Sequence, residues 1–179
     1  MKYIFLILMC FATLLYADES KKGVKMEDAI NKIYQSKAVQ AFNQCWGIMD
    51  KVVISEADYL LLIEKAHESY NFWKLVKEHT TTNLSIGLWM LSRAYAVANE
   101  VGMAKKYAFE CITISKEIDS YYLAYGYEAL ARAYLLEDDK SLVRENILKS
   151  KETIKTTQEK DISWFLKDIQ YIEENLNLR

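Results

Sequence analysis

The sequence predicts an all-α protein: a solenoid of antiparallel helix pairs, about seven helices in all, closed by a capping helix at the C-terminal end. Three observations predict it. Residues 84–95 (LSIGLWMLSRAY) return thirty-nine positions later as 123–134 (LAYGYEALARAY), with Leu84/Leu123, Gly87/Gly126, Leu91/Leu130, Arg93/Arg132, Ala94/Ala133 and Tyr95/Tyr134 identical. Self-similarity at a fixed period of this size marks units that bury their apolar faces against their neighbours. The 179 residues include no proline and only five glycines, and 51% are hydrophobic, which suits helices and disfavours a sandwich or barrel. The stretches between apolar-periodic runs are short, so successive helices must fold back on one another.

Met1–Ala17 has the pattern of a secretory signal peptide: Lys2, then the uncharged apolar run Tyr3–Tyr16, then the small residue Ala17 before Asp18 and Glu19. That run is shorter than the roughly 20 residues of a spanning helix. The pattern implies export to the periplasm or beyond. Retention of the segment would instead anchor the protein to the membrane. Residues 18–25 are polar and are expected to form a flexible leader, leaving 26–179 as one helical-repeat domain.

The first helix of that domain is expected over about 26–50, with Ile30, Tyr34, Ala38, Phe42, Cys45 and Met49 on one stripe. Ser55 is a natural N-cap for the second, where Glu56 and Asp58 suit the positive helix end. Its expected core stripe is Tyr59, Ile63, Ala66, Tyr70 and Trp73. A third helix over about 83–99 carries Arg93 as its only charge and is apolar around its whole circumference. The fourth spans about 102–117, the fifth starts after Asp119-Ser120 and ends near Glu137, and the sixth covers about 140–156. Asp161 opens the seventh, whose apolar side is Ile162, Phe165, Leu166, Ile169 and Ile172 and whose charged side is Lys167, Asp168, Glu173 and Glu174. One apolar and one charged face is what a terminal cap requires.

Gly87 and Gly126 interrupt helices at a cost of about 1 kcal/mol each relative to alanine, so their recurrence predicts close approach of neighbouring backbones. Cys45 and Cys111 are the cysteines left beyond residue 17. An even count permits a disulfide in an oxidising compartment, whereas their place on apolar stripes favours buried thiols.

The repeated block resembles the tetratricopeptide repeat, whose first helix carries a large apolar, a small and an aromatic residue and whose second carries small ones. Leu91, Ser92 and Tyr95 with Ala104 and Cys111 match in one copy, and Leu130, Ala131 and Tyr134 with Val143 and Ser150 in the next. The period of thirty-nine exceeds the usual one of about 34, and the repeat-ending proline is missing. The chain is also similar, over about 40–135, to a group of uncharacterised bacterial helical-repeat proteins. The likeness rests on Ala66-His67 with Trp73, then Trp89, Ser92, Arg93 and Tyr95, then Tyr127-Glu128-Ala129-Leu130-Ala131-Arg132. The resemblance implies a right-handed solenoid whose first helices line a concave surface.

On that surface the expected site residues are Trp89, Arg93, Tyr125, Glu128 and Arg132, with His67 at its edge. Trp89 and Arg93 are four residues apart, which lets guanidinium stack on indole; Glu128 and Arg132 have the same spacing in the favourable order. Two arginines at equivalent repeat positions present forks suited to carboxylates. The same arginines could equally serve ion pairs between neighbouring helices, for example with Glu128.

The pattern predicts a non-enzymatic scaffold for a protein or peptide with an acidic feature, the alternative being a small-molecule or catalytic pocket around His67, Trp89 and Arg93. No nucleophile–base pair, phosphate loop or cysteine–histidine array is present, so neither cofactor nor metal is expected. A net charge of −2 points away from nucleic acid, and a membrane partner is expected only if the N-terminal segment is retained.

Overall fold

The computed structural model describes the backbone of residues 2–178 and the side chains of 25–177. Seven helices make up the described residues, with no strand: α1 Lys2–Met49, α2 Glu56–Leu75, α3 Thr81–Val97, α4 Val101–Ser115, α5 Ser120–Leu136, α6 Lys140–Ile154 and α7 Ser163–Leu178. The side chains of the expected signal segment, 1–17, and of 18–24 lie outside the described residues. Residues 18–25, expected as a flexible leader, have helical backbone continuous with α1. Glu19, Lys21 and Lys22 are good helix formers, and the single Gly23 costs only about 1 kcal/mol, too little to stop the helix. Among the described residues no helix is long and apolar enough to cross a membrane.

Local chemistry sets the boundaries. Ser55 and Asp58 form a reciprocal capping box at the start of α2, and Thr80 with Asn83 does the same for α3. Thr80 moves the start of α3 two residues ahead of the expected Asn83. Asp119 accepts from the Tyr121 N–H, Asp139 from that of Leu142, and Asp161 from that of Ser163.

The ends of α3 and α5 are built alike. Asn99 and Asp138 adopt left-handed φ values of 60° and 57°, and the next amides, Glu100 and Asp139, donate back to the carbonyls of Tyr95 and Tyr134 at 2.8 and 3.3 Å. This turn favours a residue that tolerates positive φ, as Asn and Asp do. The period of thirty-nine thus extends from the helices into the turns.

Neighbouring helices pack together, and in addition α1 touches α3, α3 touches α5, and α5 touches α7. Among the described residues no two even-numbered helices touch one another. The odd-numbered helices therefore form a contiguous layer, with α2, α4 and α6 laid against it.

A small side chain at the equivalent place on each even helix donates to a carbonyl of the helix before it. Ser69 Oγ donates to the Ala38 carbonyl at 2.9 Å, Cys111 Sγ to that of Ser85 at 3.5 Å, and Ser150 Oγ to that of Ala124 at 2.7 Å. These donors are buried, so the bond also spares each the cost of an unpaired polar group.

Gly126 shows the close backbone approach that the recurrence predicts, whereas Gly87 faces a side chain. A Cβ on Gly126 would stand 2.8 Å from Ile112 Cγ1 and 3.1 Å from the Ile112 backbone nitrogen, so α4 and α5 meet where no larger residue fits. At Gly87 the obstacle is the Tyr70 ring, at 2.8 Å.

Burial corrects two expected stripes. In α2 the fully buried positions are Leu62, Ala66 and Ser69, with Tyr59, Ile63, Tyr70 and Trp73 only partly covered. In α7 Phe165, Ile169, Ile172 and Leu176 are buried, at about 1.5–3 kcal/mol each, while Leu166 is half exposed. The α3 expectation holds: buried residues surround its axis, because α2, α4, α5 and α1 all pack on it.

Candidate functional site

Counting from the stapled carbonyls of Ala38, Ser85 and Ala124 gives equivalent rows on α1, α3 and α5. Four residues on stand Phe42, Trp89 and Glu128; eight residues on stand Trp46, Arg93 and Arg132. Helical spacing keeps both rows on one face of each helix. Adjacent odd helices then bring the rows side by side.

Glu128 is fully buried, and both of its oxygens are used. Oε2 accepts from Trp89 Nε1 at 2.9 Å, and Oε1 accepts from Arg132 Nε at 2.9 Å and Nη2 at 2.6 Å. Burial alone would raise this carboxyl's pKa. The guanidiniums of Arg132 and Arg93 and the Trp89 N–H outweigh burial and hold it below the usual range, so Glu128 is ionised at neutral pH.

A second carboxylate comes from α7. Asp168 Oδ1 accepts from Arg93 Nη1 at 2.8 Å and from Arg132 Nη2 at 3.3 Å. Burial, then the charge of Glu128, raises its pKa above the ordinary aspartate value, against the pull of both arginines. Arg93 also lies over the indoles of Trp46 and Trp89, 5.3 and 5.2 Å from their centroids, and Arg132 lies 4.9 Å from the Tyr171 ring centroid.

The arginines are thus engaged by ion pairs within the chain, one inside α5 and the others reaching α7. Among the described residues Arg93 donates through Nη1 alone, to Asp168, which leaves its remaining N–H groups for a ligand or solvent.

Beside this network lies a cleft of about 550 Å3, whose lining includes Trp46, Arg93, Arg132, Trp164, Asp168 and Tyr171. An adjoining space of about 360 Å3 is walled by Trp46, Trp89, Tyr125, Trp164 and Asp168. Tyr125 packs edge-on to Trp89, Tyr121 and Phe165. On its other side Trp89, Tyr121, Tyr122 and Tyr125 border a smaller hollow of about 240 Å3. Volumes of this order accommodate side chains or small ligands.

The fold brings Trp89, Arg93, Tyr125, Glu128 and Arg132 together and leaves His67 apart. His67 Nε2 lies 3.0 Å from Tyr95 Oη, and the ring meets Tyr95 and Tyr107 edge-on. None of the hollows bordered by Trp89 or Arg93 is lined by His67. Burial, then the charge of Lys106, depresses its pKa below 6.5. The reason is geometric: at the edge of its stripe His67 turns toward α3 and α4 on the side away from Arg93.

Of the residues lining the cleft, only Arg93 and Arg132 are expected from the sequence. Trp46 carried one weak sign, a four-residue spacing from Phe42 that matches Trp89 to Arg93. Trp164 and Tyr171 look like ordinary exposed residues of an amphipathic helix. Asp168 was placed on the solvent side of α7, yet its side chain is only 17% exposed.

Cys45 and Cys111 are free, buried thiols. Burial pushes their pKa values up to about 12 and about 11.

The fold and site together define an all-helical protein of packed, repeat-like units with an aromatic cleft bridged by charge. Comparison with family models, with curated proteins and with solved structures finds no match to the chain.

Proposed function

We propose that this chain is an exported, tetratricopeptide-like right-handed solenoid of antiparallel helix pairs that acts by holding a segment of another protein, without catalysis. The binding surface is the layer of odd-numbered helices, centred on Trp46, Arg93, Arg132 and Trp164. One observation carries the reading. The cleft is lined by a strongly exposed indole, Trp164 at 68%, together with Trp46 and an arginine with uncommitted donors. Tryptophan and arginine around a preformed hollow are the residues that dominate binding energy at protein interfaces. The pairs to Glu128 and Asp168 keep the guanidiniums in place before a partner arrives, which lowers the ordering cost of binding.

The test is a display library of unstructured peptides panned against the full chain. Enriched peptides are expected to lose about tenfold or more in affinity on Trp164→Ala or Arg93→Gln. They should be indifferent to Leu148→Ser, an exposed position on α6. No enrichment, or equal binding to all variants, overturns the proposal.

A further inference from the structure

Resting on that reading, we propose that the bound segment is recognised through a large apolar side chain standing next to a carboxylate. The walls of the cleft are apolar rings and chains: Trp46, Tyr59, Trp164 and Tyr171 with Met49 and Ile54. Its charged lining is uneven. Arg93, Arg132 and Lys167 line it with one carboxylate, Asp168; Lys167 Nζ stands 4.4 Å from the Trp164 ring centroid, and buried Glu128 brings the balance to three positive against two negative. One positive unit is left over. That excess favours an anionic group over an organic cation, in spite of the aromatic walls.

Arg93 is the group best prepared to receive it. Its guanidinium is held against Trp46 and Trp89, and only Nη1 is spent on Asp168. A carboxylate reaching the remaining donors meets a fork whose orientation is already fixed. The ring or branched side chain beside that carboxylate fills the space between Trp46 and Trp164.

A free aromatic acid has the same chemistry, yet the surroundings favour a polypeptide. Ile54 of the lining is preceded in the chain by Val52 and Val53, an apolar rim exposed at 102% and 79%. A ligand confined to the cleft leaves that rim bare, whereas a chain running across it does not.

Calorimetry on the full chain tests the inference with four probes. They are a blocked peptide containing a phenylalanine–glutamate pair, its glutamine counterpart, its alanine-for-phenylalanine counterpart, and phenylpropionate. The phenylalanine–glutamate peptide is expected to bind about tenfold tighter than either counterpart, the size of one charge-assisted contact or one buried ring. Arg93→Gln should abolish the preference for glutamate over glutamine. Asp168→Asn, which removes the resident carboxylate's charge, should enlarge it. Trp164→Ala, at an exposed position that burdens folding little, should weaken both phenylalanine peptides.

Equal affinities among the peptides, a glutamate preference that survives Arg93→Gln, or tighter binding of phenylpropionate than of the peptide overturns the inference. If displayed peptides still require Trp164 and Arg93 but show no such preference, the inference fails and the scaffold reading stands. If no peptide binds at all, both fail.

Discussion

Arg93 Nη1 in α3 donates at 2.8 Å to Oδ1 of Asp168 in α7, across 75 residues of chain, and Arg132 Nη2 reaches the same oxygen at 3.3 Å. One carboxylate therefore sits between guanidiniums from two successive repeat positions. It fastens the last helix to the row that the repeat creates. The pairing also divides the labour of the two arginines: Arg132 engages Glu128 and Asp168 through Nε and Nη2, while Arg93 engages Asp168 through Nη1 alone.

That division predicts unequal costs of substitution. Arg132→Ala leaves the buried Glu128 carboxylate with Trp89 as its remaining partner, and breaking such a pair costs about 3–5 kcal/mol. Arg93 pairs with Asp168, which keeps Arg132 as a second donor at 3.3 Å, so Arg93→Gln should cost only about 1–2 kcal/mol. Urea unfolding of the two variants measures the difference; similar values would contradict the assigned roles. Lys149→Ala, which breaks the exposed pair with Glu145, serves as the neutral control.

The repeated glycines should separate as well. At Gly126 a methyl group meets the α4 backbone at Ile112, which cannot step aside without moving a helix. Gly126→Ala is expected to destabilise by about 1–2 kcal/mol after the helix-propensity gain is counted. At Gly87 the obstacle is the Tyr70 ring, partly exposed and free to swing. Gly87→Ala should lie within about 1 kcal/mol of wild type for that reason. Thermal melts of both variants decide it.

His67 gives stability a pH dependence of definite sign. Its folded pKa lies below 6.5, so the unfolded chain binds a proton that the folded chain resists. The contribution is fully present above about 6.5 and is lost as pH falls through the folded value. Unfolding free energy should therefore drop between about pH 7 and about pH 5, and His67→Gln should flatten that limb. The groups that face His67 from the packed helices are Tyr95, Tyr107 and Lys106, and burial raises the pKa of both phenols, further from that window. An unchanged slope in the variant would refute the assignment.

The thiols offer a test of the repeat itself. With pKa values raised to about 12 and about 11, Cys45 and Cys111 should resist maleimide in the folded protein and react once it is denatured. Cys111 occupies the position of Ser150, which makes the same bond to the preceding helix at 2.7 Å. Cys111→Ser should consequently be tolerated within about 1 kcal/mol. A collapse of stability would show that the two positions are not equivalent.

Much of this protein was legible in its sequence. The period of thirty-nine, the near absence of helix breakers and the Ser and Asp caps located the helices to within a few residues beyond position 26. Trp89, Arg93, Glu128 and Arg132 could be grouped because residues four apart share a helix face by backbone geometry alone. The glycines announced a close approach because only a missing Cβ repays their helical cost.

Tertiary structure decided the rest. Asp168 looks like a solvated charge within α7, and only the docking of α7 beside α5 turns it toward Arg93 and Arg132. Trp46 joins the site because α1 contacts α3, and His67 leaves it because its edge position turns toward Tyr95 and Tyr107. The physical reason is common to all three. Periodicity along one helix fixes which side chains point the same way, whereas the helix that a face meets depends on contacts between segments far apart in the chain.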